Sequence, residues 1–93
     1  MAKNGTSNTK AQVCGQFVSI CDNYGELSAD KYDHEQDRWF VCYQTEKGWH
    51  VQENLKDGNI GDVGDYGDFV SALIALANAG LHGQTYPVYE MAA

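Results

Sequence analysis

The alternation of apolar and polar residues is clearest between Arg38 and Thr45 (RWFVCYQT), a run dense in aromatic and β-branched side chains that predicts a strand. Period-two geometry puts Trp39, Val41 and Tyr43 on one face and Phe40 and Cys42 on the other. Glu46-Lys47-Gly48 reads as a hairpin loop, with glycine where a positive φ is needed, and Trp49–Glu53 pairs back with Trp49 and Val51 on one face. Upstream, Val13, Cys14, Phe17, Val18, Ile20 and Cys21 recur at steps of three, four and seven. That spacing predicts a helix over 9–22, with a strand through Phe17–Cys21 as its rival. Gly15 and the β-branched residues count against the helix. Asp22–Gly25 is a break, Glu26–Asp33 an edge strand, and Asp33–Asp37 a charged turn.

Downstream of Leu55 the period changes. Gly58–Phe69 reads GNI-GDV-GDY-GDF, four copies of a glycine, an Asn or Asp, and an apolar or aromatic residue. A period of three belongs to neither helix nor strand, so the segment is expected to be a loop leading into a helix over 66–79. Asp65 is its expected N-cap and Asp68 stands at N3. Phe69, Val70, Leu73, Ile74, Ala77 and Leu81 form the helix's apolar stripe, and Gly80 marks its stop. Thr85–Met91 is a final strand, placed at an edge by Pro87. The sum is an α+β fold of two layers, a small antiparallel β-meander packed against one or two helices, with the other sheet face free for solvent or a partner. Residues 1–8 are expected to be a flexible entry and 9–93 a single domain. Trp39, Val41, Tyr43, Trp49 and Val51 are read as core, with a binding hot spot on an uncovered sheet face as the alternative.

Charge changes the picture more than composition does. Thirteen acids against six Lys and Arg give a net charge of −7. Phosphate contacts need cations, so direct nucleic-acid binding is excluded, as is an anionic membrane surface. No apolar run approaches the roughly 18–20 residues that span a bilayer. The first ten residues are polar, and the cysteine count is odd at three. These features predict a cytoplasmic protein with reduced thiols.

Candidate chemistry is sparse. The three cysteines form no C-x-x-C, and no His stands at metal spacing from another His or Cys. No Cys–His pair and no pair of carboxylates is singled out for catalysis. The chain therefore reads as a non-enzyme with no cofactor and no metal. The EF-hand loop pattern is absent, although a calcium-dependent or small-ligand module remains an alternative. What is in excess is acid. Asp57, Asp62, Asp65 and Asp68 run through the repeat, and Asp33, Glu35 and Asp37 cluster in the turn before the clearest strand. In a meander that turn and the Asn54–Asp62 loop fall at the same end of the sheet. These seven acids, with Trp49 and Tyr66 as aromatic anchors, are the expected partner-binding residues.

In overall character (a short acidic α+β chain with no catalytic motif) the protein resembles the small phage-encoded anti-CRISPR and DNA-mimic inhibitors. The resemblance implies a stoichiometric inhibitor whose carboxylates occupy Lys and Arg sites on a basic nucleic-acid-binding complex, such as a CRISPR effector. An immunity or antitoxin protein that plugs a basic toxin is the neighbouring alternative.

Overall fold

The computed structural model describes residues 5–89 as a seven-stranded antiparallel sheet with one α-helix on one face. The strands are β1 (Thr6–Val13), β2 (Gln16–Asn23), β3 (Glu26–Asp33), β4 (Arg38–Thr45), β5 (Gly48–Asn54), β6 (Ile60–Tyr66) and β7 (Val88–Tyr89), in that spatial order. Helix α1 (Phe69–Asn78) and a short 3₁₀ turn (Leu81–Gly83) connect β6 to β7. Fold and layering follow the expected meander, with more sheet and a single α-helix. Among these residues no helix is long and apolar enough to cross a membrane.

The expected helix over 9–22 is instead the β1–β2 hairpin. Cys14 and Gly15 both take positive φ, at 51° and 78°, in a two-residue loop between Val13 and Gln16. Tyr24 and Gly25 repeat the device at 54° and 90° between β2 and β3. Two successive positive φ values give the turn whose twist matches that of the flanking strands. Gly15 was thus a turn signal within what looked like helical spacing. Three more expectations shift. β1 begins at Thr6, inside the segment expected to be a flexible entry, and residues 1–4 lie outside the described part. β3 is interior to the sheet rather than an edge. The final strand is reduced to Val88–Tyr89 beside Pro87, at the sheet edge as expected, and Met91 lies outside the described residues.

The core lies between sheet and helix. Val18, Ala29, Phe40, Cys42 and Val51 come from β2 to β5, and Ala72, Leu76 and Ala77 from α1. A ten-residue helix is too short to stand alone in water, so this packing holds it. Asp68, not Asp65, is its N-cap: the carboxylate accepts the Ser71 N–H at 2.8 Å and the Ser71 hydroxyl at 3.0 Å. The helix therefore starts at Phe69 rather than 66. A cation closes its other end. The buried Lys31 Nζ donates to the carbonyls of Ala77 and Ala79, each at 2.7 Å, placing positive charge on the negative end of the helix dipole. Desolvation leads the lowering of its pKa, opposed by the nearby Asp33 charge. Arg38 pairs with Glu53 through two bonds of 2.8 Å, and donates to the Gln84 carbonyl, also at 2.8 Å. Both cations lie over the Phe40 ring, at 5.3 and 5.0 Å from its centroid.

Candidate recognition face on the open side of the sheet

Because Phe40, Cys42 and Val51 turn toward the helix, strict alternation turns Trp39, Val41, Tyr43, His50, Gln52 and Asn54 to the opposite face. Neither the helix nor any other described element covers that face. Phe17, Tyr32, Trp39 and Tyr43, which alternation also places there, are 43 to 71% exposed. The expected core grouping of Trp39, Val41 and Tyr43 with Trp49 and Val51 is therefore corrected. Trp49 and Val51 face the helix, while Trp39 and Tyr43 face solvent.

The Gly-Asp repeat is not a loop: its central part is β6. The pairing of β5 with β6 slips by one residue between Val51 and Gln52, so that Gly64 pairs with Val51 and Asp62 with Gln52, leaving Val63 in a β-bulge. One extra residue turns a period of three into a shared face. Asp62 and Asp65, three apart, lie on the open side, opposite Gln52 and His50, which are two apart. Gly61 and Gly64 fall on the helix side. A Cβ at Gly64 would come within 2.8 Å of the Tyr66 hydroxyl, so the small residue makes room for that ring.

His50 sits at the centre of the arrangement and is only 9% exposed. Its Nδ1 lies 2.8 Å from Asp65 Oδ1. A carboxylate only accepts, so Nδ1 carries the hydrogen and donates. On the other side of the ring, Nε2 faces Asp62 Oδ1 at 3.8 Å, beyond hydrogen-bond reach, and both atoms are buried without a partner. Tyr43 lies against the imidazole, with centroids 5.5 Å apart, and donates its hydroxyl hydrogen to Gln52 Oε1 at 3.2 Å. Tyr89 of β7 completes the wall. Partial desolvation first, then the charges of Asp62 and Asp65, hold its phenol pKa above the ordinary value. Together these residues line an open groove of about 790 Å³, with Glu46 and Lys47 at its rim. Further across the face, Trp39 Nε1 donates to Asp30 Oδ2 at 2.9 Å.

The seven expected acids divide into three places. Asp33 ends β3, and Glu35, Asp37 and Asp57 lie in the β3–β4 and β5–β6 turns, which share one end of the sheet as the meander predicts. Much of their capacity is used locally. Asp33 accepts from the Glu35 and Gln36 amides and from the Gln36 side chain, Asp57 accepts from Asn59, and Asp37 pairs with Lys56. The Gln36 side-chain bond is the main reason the Asp33 carboxyl is held below its ordinary pKa. Asp68 caps α1 at the opposite end. Asp62 and Asp65 alone among the seven share the open face. Of the expected anchors, Trp49 donates its Nε1–H to the Leu27 carbonyl at 3.1 Å and packs on Phe69, and Tyr66 is half-buried with it against the helix, while both also line the end of the groove that holds Asp62 and Asp65. Sequence reasoning missed Asp30, His50 and Tyr89 as members of this face, whereas the exposed Trp39 and Tyr43 match the alternative of an aromatic cluster on an uncovered sheet face. The signal available was the alternation His50, Gln52, Asn54 against Trp49 and Val51, which marks β5 as polar on one side.

Among the described residues no group of three or more His, Cys, Asp or Glu side chains is arranged to hold a metal ion. The thiols are unpaired, and burial pushes that of Cys42 up to about 11. Comparison with family models, curated proteins and solved structures returns no match.

Proposed function

We propose that the protein is a stoichiometric acidic inhibitor that covers the positively charged nucleic-acid-binding surface of a defence complex, such as a CRISPR effector, using the open face of its sheet. The observation that carries this reading is the makeup of that face. Exposed aromatic rings alternate with the carboxylates of Asp30, Asp62 and Asp65 on a rigid sheet. The placement of cations sharpens it. Lys31 and Arg38 are consumed on the helix side, Lys56 pairs with Asp37, Lys47 stands beside Glu46 at the groove rim, and alternation leaves Lys10 on the open face among the described residues. Carboxylates therefore outnumber cations on this face among the described residues. Such a surface speeds encounter with a basic partner through long-range attraction. Tyr32, Trp39 and Tyr43 are the side-chain types that dominate binding energy once desolvated, so they set residence time. The turn acids Asp33, Glu35, Asp37 and Asp57 contribute field rather than contact, since turn bonds and Lys56 already occupy most of them.

The test is retention of lysate proteins on the immobilised chain at low salt, followed by elution with duplex DNA. The expected result is that nucleic-acid-binding proteins are retained, are released by DNA, and are not retained by the triple reversal D30K/D62K/D65K. An eluted CRISPR effector should then lose target-DNA binding when stoichiometric protein is added back. Retention that is indifferent both to DNA and to the reversal removes the reading.

A further inference from the structure

The two edges of the sheet are unlike. At the β7 edge the strand is two residues long and follows Pro87, both of which blunt further pairing. At the other edge β1 runs for eight residues with no proline and no slip in its pairing with β2. Its two-residue turn is closed by Val13 and Gln16, and beyond its start the Tyr24 N–H donates to the Gly5 carbonyl at 3.2 Å. Both bonds fix the parity. Odd-numbered residues of β1 bond to β2, so the N–H and C=O groups of Thr6, Asn8, Lys10 and Gln12 point outward along the edge. No described element pairs with them. An open row of this kind is a template for another strand.

Charge decides what pairs there. Every Asp and Glu of the chain stands at Asp22 or later, and Lys10 is the one charged residue of β1. Two copies of a chain with net charge −7 repel each other. The β1 edge lets them meet without opposing acids, whereas β7 lies beside β6 with its Asp62 and Asp65. From this geometry we infer that β1 is a dimer edge, pairing antiparallel with β1 of a second copy across a two-fold axis at Thr9. In that register Thr6 stands opposite Gln12 of the second copy and Asn8 opposite its Lys10. All four outward residues then exchange both of their backbone bonds. Thr9 meets its own copy in the closely spaced kind of pair, where Thr–Thr contact is favourable. An axis at Lys10 would set two like charges face to face, and an axis at Asn8 would carry Gln12 past the start of the described strand. The two-fold stands perpendicular to the sheet. It keeps both helices on one side and sets the two open faces side by side on the other. The pairing does not depend on what that face recognises. A single edge strand makes a small interface, so the dimer belongs to the micromolar range.

Sedimentation velocity of the full chain from about 5 to about 200 µM, at low and high salt, tests the edge, with amide hydrogen exchange followed by NMR over the same range. The expected result is a monomer–dimer equilibrium that strengthens with salt, because salt screens the repulsion between two acidic bodies. The Asn8 and Lys10 amides should become protected as the dimer forms. Asn8→Pro removes an N–H that β2 does not use, and by symmetry removes it twice. Thr9→Glu sets two carboxylates opposite each other at a position exposed in the monomer. Each should weaken the dimer about tenfold while circular dichroism of the dilute chain stays that of wild type. If Asn8→Pro does not fold, Thr9→Glu carries the test. A chain that stays monomeric over the whole range overturns the inference and leaves the edge to a strand of another protein. A dimer that survives these substitutions, or whose Asn8 and Lys10 amides exchange as fast as in the monomer, uses another surface and overturns it as well.

Discussion

Replacing Glu53 by Gln keeps the shape of the side chain and removes the charge that Arg38 is paired with. In the folded chain the two side chains are 14% and 8% exposed, and their two bonds of 2.8 Å form a fork. At this burial solvent screens little, so the pair belongs with buried rather than surface ion pairs. Removing one partner leaves a guanidinium between Phe40 and the Gln84 carbonyl without its counter-charge. Breaking a buried pair costs about 3–5 kcal/mol, and the retained amide oxygen places Glu53→Gln near the lower figure. At an m-value of about 1.5 kcal/mol/M, a loss of about 3 kcal/mol lowers the urea midpoint by about 2 M with the slope unchanged. For a chain of this size it lowers Tm by about 12 °C or more. The assay is urea unfolding followed by tryptophan fluorescence and circular dichroism together. The double variant R38M/E53L should be more stable than Glu53→Gln, because it removes both charges and leaves neither stranded. A loss below about 1 kcal/mol for Glu53→Gln would refute the argument that this pair is desolvated and coupled. A double variant that loses the full sum of the two singles would refute it as well.

Two further outcomes follow from the same structure. Asp33 is held below its ordinary carboxyl pKa of 3.8 chiefly by the Gln36 side-chain bond, and Asp68 below the same value by the Ser71 amide. A depressed folded value means the stabilisation is fully present above the unfolded pKa and is lost as pH falls through the folded one. The urea midpoint should therefore drop on acidification from pH 5 toward pH 2, and Asp68→Asn, which keeps a capping side chain without a titrating one, should flatten that drop; a curve identical to wild type removes the cap's share. Separately, iodoacetamide at pH 8 should label the exposed Cys14 rapidly and leave Cys42 untouched, because burial both shields the Cys42 thiol and pushes it up to about 11. Rapid labelling of Cys42 in the native protein, read by peptide mass spectrometry, contradicts its place in the core.

Parts of the architecture were legible because local signals and tertiary demands agreed. β4 has alternation, β-branching and aromatic content along its whole length, and its partition into two faces is the one observed. The β4–β5 hairpin follows from Gly48, whose φ is 142° and whose Cβ would meet the Tyr66 carbonyl at 2.2 Å. Helix α1 was visible from its stripe, though its start moved from 66 to 69 because Asp68 rather than Asp65 accepts the first-turn amide. The β1–β2 hairpin was misread because apolar residues flanking a two-residue turn happen to fall at helical steps. Two adjacent positive φ values, not periodicity, separate the alternatives.

The amino-acid order by itself determined a small antiparallel meander with a helix on one side, an acid excess, and the clearest strand with its two faces. It did not determine which acids stand together. That choice belongs to the tertiary structure, for a physical reason. A side chain's face on a strand depends on pairing register, and register here contains a bulge set by how β6 docks on β5. The same one-residue slip brings Asp62 and Asp65 around His50, while caps and turns absorb Asp68, Asp57 and Asp33 through bonds made only once the chain has folded.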